Sequence, residues 1–184
     1  MIQGCAFHSV AVFGASELGE GSDEYRTGVD LGAFLATRGA AVRCGGYYGL
    51  MEAVARGVRS VEGATCIGVT LSTFDPKIAN AYLSEEVKAG DPFERLRLLI
   101  NGVSLVVVQP GSFGTLAELF VTLFLLYTGC ISLVPVCLLG RRWRQFVEGL
   151  SSLPVKPEHL ELFQVFDSAD AFFAWFDAQM PTRL

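Results

Sequence analysis

Leu105-Val106-Val107-Val108-Gln109-Pro110-Gly111-Ser112-Phe113-Gly114-Thr115-Leu116-Ala117-Glu118 is the stretch on which the fold turns. Leu105 to Val108, an unbroken apolar run rich in valine, reads as a parallel strand buried on both faces. It stops at a glycine-bearing turn that runs directly into an apolar helix, Thr115 to Thr128. A strand, a tight turn and a helix in that order present unpaired backbone amides and the positive end of a helix dipole at the strand's carboxyl end. This is an anion seat, and phosphate is its natural guest. Gly111 and Gly114 read as positions where a Cβ would obstruct close approach, and Thr115 sets a hydroxyl beside the free amides. Glu118 lies one turn further in, so its carboxylate points toward the same pocket.

The rest of the chain repeats this alternation. Ser9 to Gly14 is a strand ending at Gly14-Ala15-Ser16, and Ser22-Asp23-Glu24 caps a helix carrying Val29, Leu31, Phe34 and Leu35. Ala41 to Cys44 is a strand, the turn Gly45 to Gly49 follows, and a helix runs to about Val61. Thr65 to Thr70 is a third strand. Leu71 to Asp91 reads as a long, irregular, polar surface connection, the kind of segment that often carries binding residues. Pro92 opens a helix to Asn101. Beyond the signature helix come a strand at Val134–Leu139, a helix from Trp143, a short strand near Phe163–Phe166 and a last helix from Ser168. Strands alternating with helices specify an α/β fold: a Rossmann-like open, mostly parallel sheet with helices on both faces. Ligands in such folds bind outside the carboxyl ends of the strands, where all three glycine-bearing turns lie.

A chain of 184 residues, 51% of them hydrophobic, fills one such core, so residues 1–184 read as a single domain. The net charge of −5 and the scattered basic residues exclude a footprint for a nucleic-acid backbone. Five cysteines without C-x-x-C spacing, mostly in apolar runs, read as reduced thiols of a cytoplasmic protein. The N-terminus lacks the positive region of a signal peptide. Leu119 to Gly140 carries no charge and is long enough to span a bilayer, but Thr128-Gly129 and Pro135 divide it into a helix and a separate strand, so no membrane span is expected. His8 and His159 have no ligand-spaced neighbour, so no metal site is expected, and no cofactor is called for.

Three motifs together resemble one family. Pro110–Glu118 is similar to the P-G-G-x-G-T-x-x-E signature of the Lonely guy family of cytokinin-activating phosphoribohydrolases, also called "possible lysine decarboxylase", and of their relatives among the molybdenum-cofactor carrier proteins. Gly45-Gly46-Tyr47-Tyr48-Gly49-Leu50-Met51 looks like the family's G-G-G-x-x-G-L-M turn. Phe93-Glu94-Arg95 places Arg95 on its essential arginine. The match runs from about Ser9 to Leu139, with two departures: Ser112 stands for the second signature glycine and Tyr47 for the third glycine of the other turn.

The resemblance implies hydrolysis of the N-glycosidic bond of a nucleoside 5'-monophosphate, AMP or an N6-substituted AMP, to free base and ribose 5-phosphate. The alternative it carries is a non-catalytic nucleotide or molybdenum-cofactor binding protein. Such hydrolysis passes through an oxocarbenium-like sugar and needs a phosphate anchor and a carboxylate near the anomeric carbon. Glu118 would activate water or stabilise the developing charge, and Arg95 would orient base or phosphate, against the plainer reading of the two as an ion pair stapling helices. The phosphate and nucleotide site would comprise Gly45, Gly46, Gly49, Met51, Gly111, Ser112, Gly114, Thr115 and Ser16. Tyr47 and Tyr48 stay open between stacking on a base and lining the rim, Glu52 between the ribose hydroxyls and the helix dipole, and Arg97 reads as solvated. Ser112 is expected to cost about 1 kcal/mol if its φ is positive, and to add a hydrogen bond to phosphate if it is not; the first is the expectation. The family's signature helix packs in a homodimer interface, and Leu119, Val121, Phe124 and Leu125 are expected to supply it.

The decarboxylase label conflicts with the residues. Schiff-base chemistry needs a buried lysine, and Lys77, Lys88 and Lys156 all fall in polar or proline-flanked loops. Gly14-Ala15-Ser16 lacks G-x-G-x-x-G spacing, which argues against an NAD enzyme.

Overall fold

A computed structural model describes residues 7–179. Seven strands form one sheet in the order β4-β3-β2-β1-β5-β6-β7, and every pairing is parallel. The strands are β1 (Ser9–Phe13), β2 (Ala41–Cys44), β3 (Cys66–Leu71), β4 (Glu85–Ala89), β5 (Leu105–Val108), β6 (Val136–Leu139) and β7 (Gln164–Phe166). The helices are α1 (Asp23–Thr37), α2 (Leu50–Arg59), α3 (Pro92–Ile100), α4 (Phe113–Tyr127), α5 (Arg142–Ser151), the four-residue α6 (Pro157–Leu160) and α7 (Ala169–Gln179). Strand order reverses between β1 and β5, and a crevice at that switch point is where the fold seats ligands.

Side-chain alternation along the inner strands divides the core in two. Val10, Val12, Val42, Leu105 and Val107 meet Leu31 and Leu35 of α1, Val54 and Val58 of α2, and Phe172 and Phe176 of α7 on one face. Ala11, Phe13, Val106, Val108 and Leu138 meet Leu99 of α3, Leu119 and Leu123 of α4 and Trp143 of α5 on the other. Among the described residues no helix is long and apolar enough to cross a membrane, because α4 ends at Tyr127 and β6 is a separate strand.

Short-range signals placed most ends correctly. The Ser22 hydroxyl accepts from the Tyr25 amide at the start of α1, and Asp91 accepts from Phe93 and Glu94 ahead of Pro92. Several readings are corrected. The connection Leu71 to Asp91 holds β4, which pairs with β3 from Ile67↔Glu85 to Leu71↔Ala89, so Lys88 is a strand residue and not a loop one. Glu-Glu-Val-Lys-Ala is charged because it is an edge strand, and that composition hides its pairing. The signature helix starts earlier than Thr115, and its Leu119 is buried in the core, so it cannot join an external interface. Lys156 caps the short α6, which has no counterpart in the sequence reading.

Helices α1 and α2 cross at backbone contact. A Cβ on Gly32 would collide with the Val54 carbonyl, and one on Gly57 with the Val29 carbonyl. Gly32→Ala is therefore expected to destabilise the protein by about 2 kcal/mol, read as a lower midpoint in urea at unchanged slope. An unchanged midpoint would show that the two helices part without cost.

Candidate functional site

The carboxyl ends of β1, β2, β3 and β5 surround a cavity of about 210 Å³. Its lining includes Ser16, Met51, Ser112, Gly114, Thr115, Arg95 and Glu118 from the sequence-derived set, together with Tyr47, Phe74 and Lys77. Gly45, Gly46, Gly49 and Gly111 do not line it; the first three are buried and Gly111 is exposed. Gly49, with φ of +69°, holds the turn that starts α2, where the Leu50 amide bonds the Ala15 carbonyl at 2.8 Å. Gly111 is needed because a Cβ there would collide with the Thr115 side chain, whereas a Cβ on Gly114 would meet no protein atom within 4 Å. The bareness of Gly114 thus leaves space in the cavity and answers no internal packing demand.

The start of α4 is open to an anion. The first helical bond runs from the Leu116 amide to the Ser112 carbonyl at 2.9 Å, so the Phe113, Gly114 and Thr115 amides precede the ladder. No side chain caps them. Ser112 has φ −105° and ψ −152°, and no residue other than glycine has positive φ among the described residues. The expected backbone cost at Ser112 is therefore absent, and its hydroxyl, which makes no capping bond, stands at the anion seat. Ser112→Gly is accordingly expected to weaken AMP binding several-fold, measured by calorimetry; tighter binding would return the serine to the role of an obstruction.

Arg95 and Glu118 form the floor. Arg95 donates from Nε to the Val69 carbonyl at 2.8 Å and from Nη2 to the Gly45 carbonyl at 3.0 Å, which ties α3 to the ends of β3 and β2. Its Nη1 stands 3.7 Å from Glu118 Oε1, near enough for charge attraction and too far for a hydrogen bond. Glu118 is 7% exposed, and burial pushes its carboxyl up to about 7, with Arg95 pulling the other way. A carboxyl that titrates near neutrality one turn below an uncapped helix start can exchange a proton with a group bound there.

Tyr47, the departure in the second motif, is buried. Its hydroxyl donates to the Leu71 carbonyl at 3.3 Å and accepts from the Leu71 amide at 2.8 Å, which clasps the turn to the end of β3. Its ring faces Phe74, Lys77 Nζ lies 4.7 Å from the ring centre, and the buried Asn80 secures the same turn through the Gly46 and Tyr47 carbonyls. Tyr48 is exposed and does not line the cavity. Ser16 donates to the Glu17 carboxylate at 2.6 Å, and Arg97 is exposed, as read. Glu52 lies outside the cavity, on the side of α2 near Tyr25. The sequence marks Lys77 only as a loop lysine and Phe74 not at all; the one signal for either is its place in the connection marked for binding residues. His159 stacks on Tyr127, and no cluster of metal-ligating side chains occurs among the described residues. Cys5 lies outside them.

Comparison with known proteins places this geometry. The profile of the SLOG cluster4 family matches residues 8–131, well over half the chain. Comparison with curated proteins finds none that matches. Among solved structures, the protein TM1055 is 25% identical with a TM-score of 0.72, over 93% of this chain and 99% of that one. The molybdenum cofactor binding protein from the phototrophic bacterium Rippkaea orientalis is 18% identical with a TM-score of 0.72, over 93% and 96%. The molybdenum cofactor carrier protein from Chlamydomonas reinhardtii is 20% identical with a TM-score of 0.70, over 94% and 97%. The last two likenesses establish the fold alone.

Proposed function

Because the chain belongs to the SLOG cluster4 family, we propose that it is a cytoplasmic phosphoribohydrolase that cleaves AMP or an N6-substituted AMP to free base and ribose 5-phosphate. The observation that carries this reading is the buried Glu118, 3.7 Å from Arg95 and one turn below an uncapped helix start. The 5'-phosphate sits on the Phe113, Gly114 and Thr115 amides with the Ser112 hydroxyl, and the ribose extends toward Glu118. In its ionised form Glu118 takes a proton from water as the water oxygen bonds to the anomeric carbon, while the base leaves with the electron pair of the broken bond and takes up a proton from solvent. Arg95 keeps enough of the carboxyl ionised at neutral pH. Lys77, at the mouth of the cavity, adds positive charge that favours an anionic substrate.

The test is incubation with a panel of nucleoside 5'-monophosphates followed by chromatography of released bases. Release of adenine or an N6-substituted adenine is expected. Tight nucleotide binding with no base released from any member would favour the second reading, a binding or carrier protein, as the two molybdenum-cofactor proteins of the same fold are.

The outward face of α4 supports a homodimer. Phe120, Phe124 and Tyr127 are each more than two-fifths exposed and Phe113 is nearly fully so, while Val121 and Leu125 are partly covered by the core. Aromatic residues lined along one helix face want a partner, and a second copy of this chain supplies it. Phe124→Glu is expected to convert dimer to monomer in sedimentation at micromolar concentration. A wild-type protein that sediments as monomer would contradict the interface.

A further inference from the structure

The two ends of the cavity beside Glu118 differ in chemistry. At one end stand Ser112, Thr115 and the uncapped amides of α4; at the other stands Phe74, from the β3–β4 connection. A series of side chains orders the space between them. Glu118 lies one turn into α4, Arg95 Nη1 is 3.7 Å from it, the Arg95 guanidinium is 5.9 Å from the centre of the Tyr47 ring, and the Tyr47 and Phe74 ring centres are 5.7 Å apart. In the sheet, β3 is three strand spacings from β5, about 14 Å at about 4.8 Å each. That span suits a nucleoside 5'-monophosphate laid out with its phosphate on α4 and its ribose at Glu118, which brings the base to Phe74.

Phe74 is 48% exposed, and among the described residues it is the one aromatic ring that lines the cavity and stays open to a guest. Tyr47 lines it but is buried, with its hydroxyl committed to Leu71; Tyr48 and Phe113 are exposed but lie outside it. A single exposed phenylalanine is ordinary on a protein surface. This one is held in place. It ends the short helical turn Ser72–Phe74, where the Ser72 hydroxyl donates to the Gly90 carbonyl at 3.1 Å and the Phe74 carbonyl accepts from the Lys77 amide at 2.8 Å. The next residue, Asp75, accepts from Lys88 of β4 at 2.8 Å. With Tyr47 against it as well, the ring is positioned before a ligand arrives, so little ordering is lost on binding.

We propose, resting on the nucleotide reading of this cavity, that Phe74 is its base-stacking residue and gives it a preference for purine nucleotides. Every base offers a flat face to an aromatic ring, and the fused rings of a purine cover phenylalanine more fully than the single ring of a pyrimidine. Neither Tyr47 nor Tyr48 then stacks on the base; Tyr47 supports the ring that does.

The experiment is calorimetric titration of the full chain with three ligands that hydrolysis cannot cut: formycin 5'-monophosphate and pseudouridine 5'-monophosphate, whose bases are joined to ribose by a carbon–carbon bond, and ribose 5-phosphate, which has no base. Wild type is expected to bind the formycin nucleotide most tightly, the pseudouridine nucleotide several-fold less tightly and ribose 5-phosphate least. Phe74→Ala should weaken the formycin nucleotide about tenfold, narrow its advantage over the pseudouridine nucleotide and leave ribose 5-phosphate unchanged, while Phe74→Tyr should keep the wild-type pattern. A ring that only propped up the cavity would instead weaken all three ligands together in Phe74→Ala, and that result would overturn the proposal. So would equal wild-type affinity for the formycin nucleotide and ribose 5-phosphate, or a formycin affinity that Phe74→Ala leaves unchanged. Turnover enters none of these comparisons, so a chain that binds through Phe74 but releases no base from AMP would remove the hydrolase reading and leave the stacking residue in place.

Discussion

Glu118→Gln is expected to lower turnover of AMP about a thousandfold while nucleotide affinity changes little, and to make the protein more stable above neutral pH. The first part follows from placement. In the proposed reaction, phosphate would bind the uncapped amides at the start of α4, which the substitution leaves intact, whereas the ionised carboxylate would act only as the bond to the base breaks. The second part follows from burial. The carboxyl moves from an ordinary 4.5 to about 7 in the folded protein, so across that window the native state holds more protons than the unfolded chain. Stability contributed by this group is therefore full below about 4.5 and falls as pH rises through about 7. Glutamine carries no such penalty, which amounts to about 3 kcal/mol at most in the wild type at pH well above 7. The variant's melting temperature should match wild type in acid and exceed it by several degrees in mild alkali. In the wild type, activity should climb with pH through the same region, since the proposed reaction uses the ionised form. Undiminished turnover in the variant, or melting curves that do not diverge with pH, would remove Glu118 from the mechanism.

Arg95→Met is expected to cost both stability and activity. The guanidinium donates to the Val69 and Gly45 carbonyls, and these lose their partners in the variant. Two buried acceptors left unpaired amount to roughly 3 kcal/mol. The effect on Glu118 is separate. Arg95 opposes the rise caused by burial, so without it the carboxyl titrates higher still, and the rising limb of the pH–activity profile moves toward alkali. At neutral pH turnover should fall about a hundredfold, with partial recovery in alkali. Combining Arg95→Met with Glu118→Gln separates the two effects. Because glutamine has no charge to leave stranded, the double variant should be less destabilised than the sum of the singles, and strictly additive losses would show that the 3.7 Å pair is not coupled.

How much of this was legible beforehand depends on the range of the interaction concerned. The strand–turn–helix unit at Leu105–Glu118, the Ser22 and Asp91 caps and the proline that opens α3 are set by contacts within a few residues, so local chemistry specifies them. Alternating strands and helices then implied a parallel sheet, and a parallel sheet brings its turns to one edge. The lineup of Ser16, Arg95, Ser112, Thr115 and Glu118 around one cavity was legible for that reason, as was the family, whose motifs are those turns.

Features carried by distant residues could not be read in advance. β4 is a strand because β3 offers it hydrogen bonds; its own residues are those of a charged edge. Leu119 and Phe124 are equally apolar in the sequence, yet packing against β5 and α3 buries one and leaves the other outside. Ser112 has ordinary dihedrals because its turn closes over a helix start that leaves the backbone extended. Tyr47 replaces a glycine without strain because Leu71, on another strand, receives its hydroxyl. Lys77 reaches the cavity by way of the β3–β4 connection. The amino-acid sequence by itself determined the order of elements, the glycine turns and the residues brought to the sheet's carboxyl edge, all through short-range backbone and capping preferences. Tertiary structure alone decided which of those side chains are buried, how far Arg95 stands from Glu118 and where the carboxyl titrates, because desolvation and charge attraction depend on neighbours remote in the chain.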